Sequence, residues 1–141
     1  MEQRLSLITL GVSDLERART FYREVFAWKL SDMSNENIAF FRLNGILLAL
    51  FERGALAADA GVKPSGEGFR AFTLAYNTRS EQEVDRLVSL LRQRGARVVK
   101  EPEKAPWGGY SGYVADPDGH LWEIAYNPYL PMDAAGNILE E

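Results

Sequence analysis

The sequence predicts an α+β fold: two tandem βαβββ modules whose curved mixed sheet surrounds a shared cleft. Three observations carry the prediction. Segments with strand and helix periodicity follow one another as strand, helix and three strands, and the same order comes twice within 141 residues. Each half places a Ser-x-x-Glu capping signature before its helix, Ser13 to Glu16 and Ser80 to Glu83. Ile8-Thr9-Leu10-Gly11 also falls on Phe72-Thr73-Leu74-Ala75, an offset of 64 residues. One module cannot bury both faces of its sheet, so the two are expected to pack side by side.

The first module is read over residues 5–53. LSLITLGV (5–12) is rich in strand formers. Leu15, Ala18, Phe21, Tyr22, Val25 and Phe26 then recur at three- and four-residue intervals, one stripe of a helix. Strands are expected at Trp28 to Ser31, Ile38 to Leu43 and Ile46 to Phe51, the last two joined by Asn44-Gly45, a strong hairpin signal. Residues 54–68, GALAADAGVKPSGEG, lack sustained periodicity and read as a connection with one helical turn. The second module covers residues 69–128. FRAFTLAYN (69–77) is a strand, and Val84, Leu87, Val88 and Leu91 are the stripe of a helix ending at Gly95 as C′ residue. Strands follow at Arg97 to Lys100, Tyr110 to Ala115 and His120 to Tyr126, with Asp116-Pro117-Asp118-Gly119 as the last turn and residues 129–141 as a tail. The whole is one domain, of ordinary size for a real core.

Composition narrows the function. With 26% charged and 46% hydrophobic residues the chain has the make-up of a soluble globular protein. A net charge of −4 opposes a sequence-independent grip on nucleic acid, which needs a basic surface. The absence of cysteine excludes disulfides, thiolate nucleophiles and sulfur-based zinc sites, and suits the cytoplasm. MEQRLSLITLGVSD turns acidic before giving the apolar run of a signal peptide or membrane helix, so the chain is expected to be folded from about residue 5, with no membrane partner. No Rossmann or phosphate-cradling glycine motif is found, and no cofactor is expected. Gly109-Tyr110-Ser111-Gly112 lacks the spacing of a nucleophile elbow.

ITLGVSDLERARTFY near the start and GYVADPDGHLWEI near the end, in paired βαβββ modules, make the chain resemble the vicinal oxygen chelate superfamily over residues 5–128. That group contains glyoxalase I, extradiol dioxygenases, and fosfomycin- and bleomycin-resistance proteins. The resemblance implies a homodimer and four ligand positions for a divalent ion, one on the first and one on the last strand of each module. Here those positions are Leu7, Ala71, Ala49 and Glu123, the last two by aligning Gly45-Ile46-Leu47-Leu48 with Gly119-His120-Leu121-Trp122. One carboxylate with two methyls and an isobutyl group cannot hold such an ion, so no metal is expected.

Glu123 is also the one charge in the apolar strand HLWEIAY, which makes it the leading candidate site residue. Strand alternation puts Leu5 and Thr9 on the face of Leu7, Leu47 and Phe51 on that of Ala49, Thr73 on that of Ala71, and Leu121 and Ala125 on that of Glu123. The implied cleft is apolar, with two hydroxyls and one carboxylate. Trp107 and Tyr110, flanking Gly108-Gly109, are expected at its mouth. Trp122, Phe72, Phe21 and Tyr22 are assigned to the helix-facing core, and His120, the only histidine, to the start of a strand near the surface, opposite Glu123. Glu123 reads as a relic bonded to Thr9, Thr73 or a tyrosine, as counter-charge for a cationic ligand, or as an acid–base group. The expected function is metal-free binding of an unidentified amphipathic or aromatic small molecule, in the manner of the bleomycin-resistance group. The alternatives are a glyoxalase-like lyase or isomerase using Glu123 or an unrecognised metal site, and a structural or regulatory dimer.

Overall fold

Leu7–Val12 forms the first strand, β1, its even-numbered residues Leu10 and Val12 buried and its odd ones more open. The structure, a computed structural model, describes residue 3 and residues 6–139, so Leu5 and the expected start at residue 5 lie outside the described residues. Helix α1, Leu15–Glu24, is capped by Asp14, whose Oδ1 accepts from the Arg17 amide at 3.0 Å. This corrects the expected Ser13 cap. Asp14 holds the extended backbone a cap requires, and its carboxylate suits the positive end of the helix, while the Ser13 hydroxyl accepts from the Arg17 guanidinium at 2.8 Å. Ala18, Phe21 and Tyr22 are buried as the stripe predicts.

Strands β2, Ile38–Arg42, and β3, Leu47–Glu52, are antiparallel, and β1 lies parallel to β3, giving the order β1-β3-β2. In the turn between them, Gly45 takes a φ of 76°, which glycine alone adopts freely. The strand expected at Trp28 to Ser31 is reduced to a single bridge between Leu30 and Phe41. Ala27 has a φ of 57°, and the Trp28 amide donates to the Tyr22 carbonyl, so the chain wraps the helix end. Trp28 instead joins Tyr22, Phe26 and Phe41 in an aromatic cluster, with centroids 5.8, 5.2 and 6.1 Å from its own. The 54–68 connection holds more helix than expected: α2, Arg53–Asp59, is capped by Glu52, whose carboxylate accepts from the amides of Gly54 and Ala55 and is held below its usual range by them.

The chain divides into two compact units, Met1–Arg70 and Ala71–Glu141. The second repeats the first. Strand β4 is Leu74–Thr78 and α3 is Glu81–Gln93, capped by Ser80 as predicted and closed at Gly95 with a φ of 99°. Strands β5, Arg97–Lys104, β6, Tyr110–Ala115, and β7, Leu121–Tyr126, complete a sheet of order β4-β7-β6-β5, with β4 parallel to β7 and the other neighbours antiparallel. α3 presses Val84, Val88 and Leu91 toward the face carrying Val114, Trp122 and Ile124, all buried. The strand expected from Phe69 starts five residues later. Ala71 sits at a φ of 61°, outside strand geometry, and Phe69 and Phe72 are 71% and 43% exposed, so Phe72 is no core residue. Among the described residues no helix is long and apolar enough to cross a membrane.

The ladders also fix the repeat. Ala49 on β3 is paired with Thr9, and its counterpart Glu123 on β7 is paired with Ala75. The two helix caps, Asp14 and Ser80, keep the same spacing as Thr9 and Ala75. The structural offset is thus 66 residues (9 to 75), two more than expected, and the counterpart of Leu7 is Thr73 rather than Ala71.

Candidate functional site

In the second unit, alternation and pairing place one row of side chains across the face turned away from α3. Ala75 on β4 pairs with Glu123 on β7, Glu123 with Tyr113 on β6, and Tyr113 with Lys100 on β5. Glu123 and Tyr113 are half-buried. The Tyr113 hydroxyl is hydrogen-bonded to the Glu123 carboxylate and to Thr73. Burial first, then the Glu123 charge and its hydrogen bond, push the Tyr113 phenol up, while Thr73 and Lys100 pull it down. Tyr113 is therefore a standing proton donor to Glu123. The Lys100 ammonium meets Glu103 at 2.8 Å, and that pair chiefly raises it, with Tyr113 and Glu123 adding their fields.

A carboxylate bonded to a tyrosine and linked through it to Thr73 is one of the arrangements expected for Glu123. Tyr113 itself was missed. Its signal was in the sequence: closing the hairpin at Asp116-Pro117-Asp118-Gly119 pairs Ala115 with Leu121 and so Tyr113 with Glu123.

The first unit carries the corresponding face in apolar form apart from Arg42. Thr9, Ala49 and Phe40 form one row, Leu7, Leu47 and Arg42 the next, and Gly11, Phe51 and Ile38 the third. Leu7, Thr9, Ala49 and Phe51 are thus on one face as predicted, with Leu7 40% exposed, Ala49 fully buried, and Phe40 and Ile38 added by the hairpin register.

Tyr110 and Ala71 stand elsewhere, and Trp107 sits on a turn. Tyr110 lies on the α3 side of its sheet, opposite Glu123, where its hydroxyl donates to Asp85 of α3 at 2.7 Å; that bond is the main reason its phenol is pushed up to about 12. Even-numbered residues of β6 face the helix, so Tyr110 could not share a face with Tyr113. Trp107 sits on the turn before β6, 45% exposed, its ring so close over Gly109 that a Cβ there would fall 1.8 Å from it. Ala71 precedes β4 and belongs to no strand.

His120 corrects the sequence reading. It keeps the face opposite Glu123 but is buried, because Asp116 captures it twice: Oδ1 accepts from its amide at 2.9 Å, and Oδ2 lies 2.7 Å from its Nδ1.

The donor set does not fit a divalent ion. Leu7, Ala49 and Thr73 with Glu123 offer one carboxylate and one hydroxyl, where such an ion takes several oxygen or nitrogen ligands. Among the described residues no three His, Asp or Glu side chains gather closely enough for one.

This chain is similar to known proteins. A glyoxalase-related enzyme from Fulvimarina pelagi superposes with a TM-score of 0.86 over 99% of both chains, at 39% identity. A metallothiol transferase FosB of Lysinibacillus sphaericus is 31% identical over 86% of this chain and 81% of its own length. Lactoylglutathione lyase GLX1 of Arabidopsis thaliana is 31% identical over 83% of this chain, which spans only 42% of that protein. The sequence pattern of the Glyoxalase/Bleomycin resistance protein/Dioxygenase superfamily matches residues 4–124, and the paired modules bear it out: the chain belongs to that superfamily.

Proposed function

We propose that the chain binds a small, largely apolar molecule with a cationic group, anchored by Glu123 without a metal ion. The observation that carries this reading is the Lys100–Tyr113–Glu123 row. Lys100 is taken up by Glu103, which leaves the Glu123 carboxylate of the row to meet an incoming cation. Tyr113, itself bonded to Thr73, holds the Glu123 carboxylate and leaves it lone pairs for an incoming donor, since a carboxylate accepts at about four positions. Homodimerisation, expected from the family resemblance, is part of the same proposal.

A second reading has its own support. The relatives named above are a transferase and a lyase, and a carboxylate bonded to a protonated phenol is a proton-transfer pair. Metal analysis separates the two: stoichiometric Zn, Mn, Fe or Ni surviving purification and dialysis overturns the metal-free reading. Binding is tested by NMR titration with benzylamine, cationic at neutral pH, and benzyl alcohol, its neutral counterpart. Glu123→Gln keeps shape and removes charge. It should weaken benzylamine about ten- to a hundredfold, the worth of a charge-assisted hydrogen bond, and leave benzyl alcohol nearly unchanged. Equal affinities of parent and variant for both probes would remove Glu123 as the anchor.

A further inference from the structure

Resting on the reading of the Glu123 face as a ligand site, we infer that the site selects an amphoteric molecule, one carrying an ammonium for Glu123 and a carboxylate for Lys100. Strand β5 is irregular at the place that matters. Val98 pairs with Val114 on the α3 side, so regular alternation would pair Val99 with Tyr113; instead β5 slips one residue and Lys100 takes that position. A second slip follows between Lys100 and Glu103, after which Glu103 pairs with Ser111 and Lys104 with Tyr110. Between the two slips a cation is delivered onto the face of Tyr113 and Glu123, and Val99, 45% exposed, is displaced from it. Re-aiming a side chain is what bulges do beside functional sites.

The partner strand is shaped to the slip. A Cβ on Gly112 would come within 2.9 Å of the Lys100 carbonyl oxygen and of the Pro102 nitrogen, so only glycine lets β5 bulge against β6 here. In the first unit the corresponding row is Thr9, Ala49 and Phe40, which carries no charge.

The resulting face is dipolar. Lys100 and Glu123 stand on strands two apart, about 10 Å between backbones, with the Tyr113 ring between them. Both side chains are long enough to reach inward over that ring. Glu103 holds Lys100 in an exposed ion pair, with side chains 48% and 62% accessible, and such pairs are weak enough for a ligand carboxylate to replace. A flat molecule with opposite charges at its two ends matches this row.

The test uses 4-(aminomethyl)benzoate, with benzylamine as the probe lacking the carboxylate, against the parent, Lys100→Met and Lys100→Arg. The parent should bind the amphoteric probe about tenfold more tightly than benzylamine. Lys100→Met should abolish that advantage, read as the ratio of the two probes' affinities on the same variant, and Lys100→Arg should restore most of it. An amphoteric probe that binds the parent no better than benzylamine, or an advantage that survives Lys100→Met, overturns the inference; benzylamine binding that still depends on Glu123 then leaves the proposed function standing. If neither probe binds, both fall together.

Discussion

Tyr110 and Tyr113 sit three residues apart on one strand, face opposite ways, and have their phenols raised for different reasons. For Tyr113 burial leads and the Glu123 charge follows; for Tyr110 the bond to Asp85 leads. Both therefore hold their protons more tightly in the folded chain than in the unfolded one, where tyrosine titrates near 10. Stability from this source is complete below pH 10 and falls as pH rises toward about 12, where Tyr110 itself ionises. Tyr110→Phe should lose some stability at pH 8 and show a shallower loss between pH 9 and 11.5 in urea unfolding; equal slopes in parent and variant would mean the Asp85 bond does not form in solution. Residue by residue, Glu123 was legible because a charge in an apolar strand is a physical contradiction that asks for a partner. Tyr113 was not, because a lone tyrosine in a strand contradicts nothing until the hairpin is closed. His120 was misplaced for a similar reason: its burial depends on Asp116 folding back across the turn, a geometry that single-residue preferences do not contain.

Helices were more legible than strands, and the caps explain why. A cap is a local hydrogen bond between residues a few positions apart, so its signature survives without tertiary information. Even so, the first helix offered Ser13 and Asp14 side by side, and sequence spacing favoured the wrong one. Asp14→Ala should destabilise the protein by about 1 kcal/mol, whereas Ser13→Ala, which removes the exposed contact to Arg17, should stay within about 0.5 kcal/mol in chemical denaturation. The reverse order would restore Ser13 as the cap. Strand limits followed different physics. Phe69 to Asn77 has strand composition throughout, yet the left-handed backbone at Ala71 ends pairing before Leu74, and β5 outruns its expected end by four residues because β6 continues to pair with it through two slips. Those slips depend on which strand lies alongside, which periodicity along one strand does not reveal.

The repeat was visible in the sequence as an order of elements, but its register needed the ladders, because an offset of 64 and one of 66 put the same residues on the same faces. The difference decides which residues of the two units correspond. Ala49 and Phe40 in the first unit occupy the positions of Glu123 and Tyr113 in the second. Placing a carboxylate at Ala49, fully buried between Thr9 and Phe40, gives it no ring hydroxyl to accept from. Ala49→Glu should therefore cost about 2–4 kcal/mol, the penalty of a buried acid that must stay charged without support or take up a proton. Adding Phe40→Tyr supplies across the hairpin the donor that Tyr113 supplies in the second unit. If the cross-strand tyrosine is what makes Glu123 tolerable, the double variant should recover at least about 1 kcal/mol relative to Ala49→Glu, although Phe40→Tyr alone gains nothing. Urea unfolding of the parent, both single variants and the double variant measures that coupling. A coupling of zero would show that Glu123 is accommodated by its wider surroundings, and that the Tyr113 bond serves the ligand face alone.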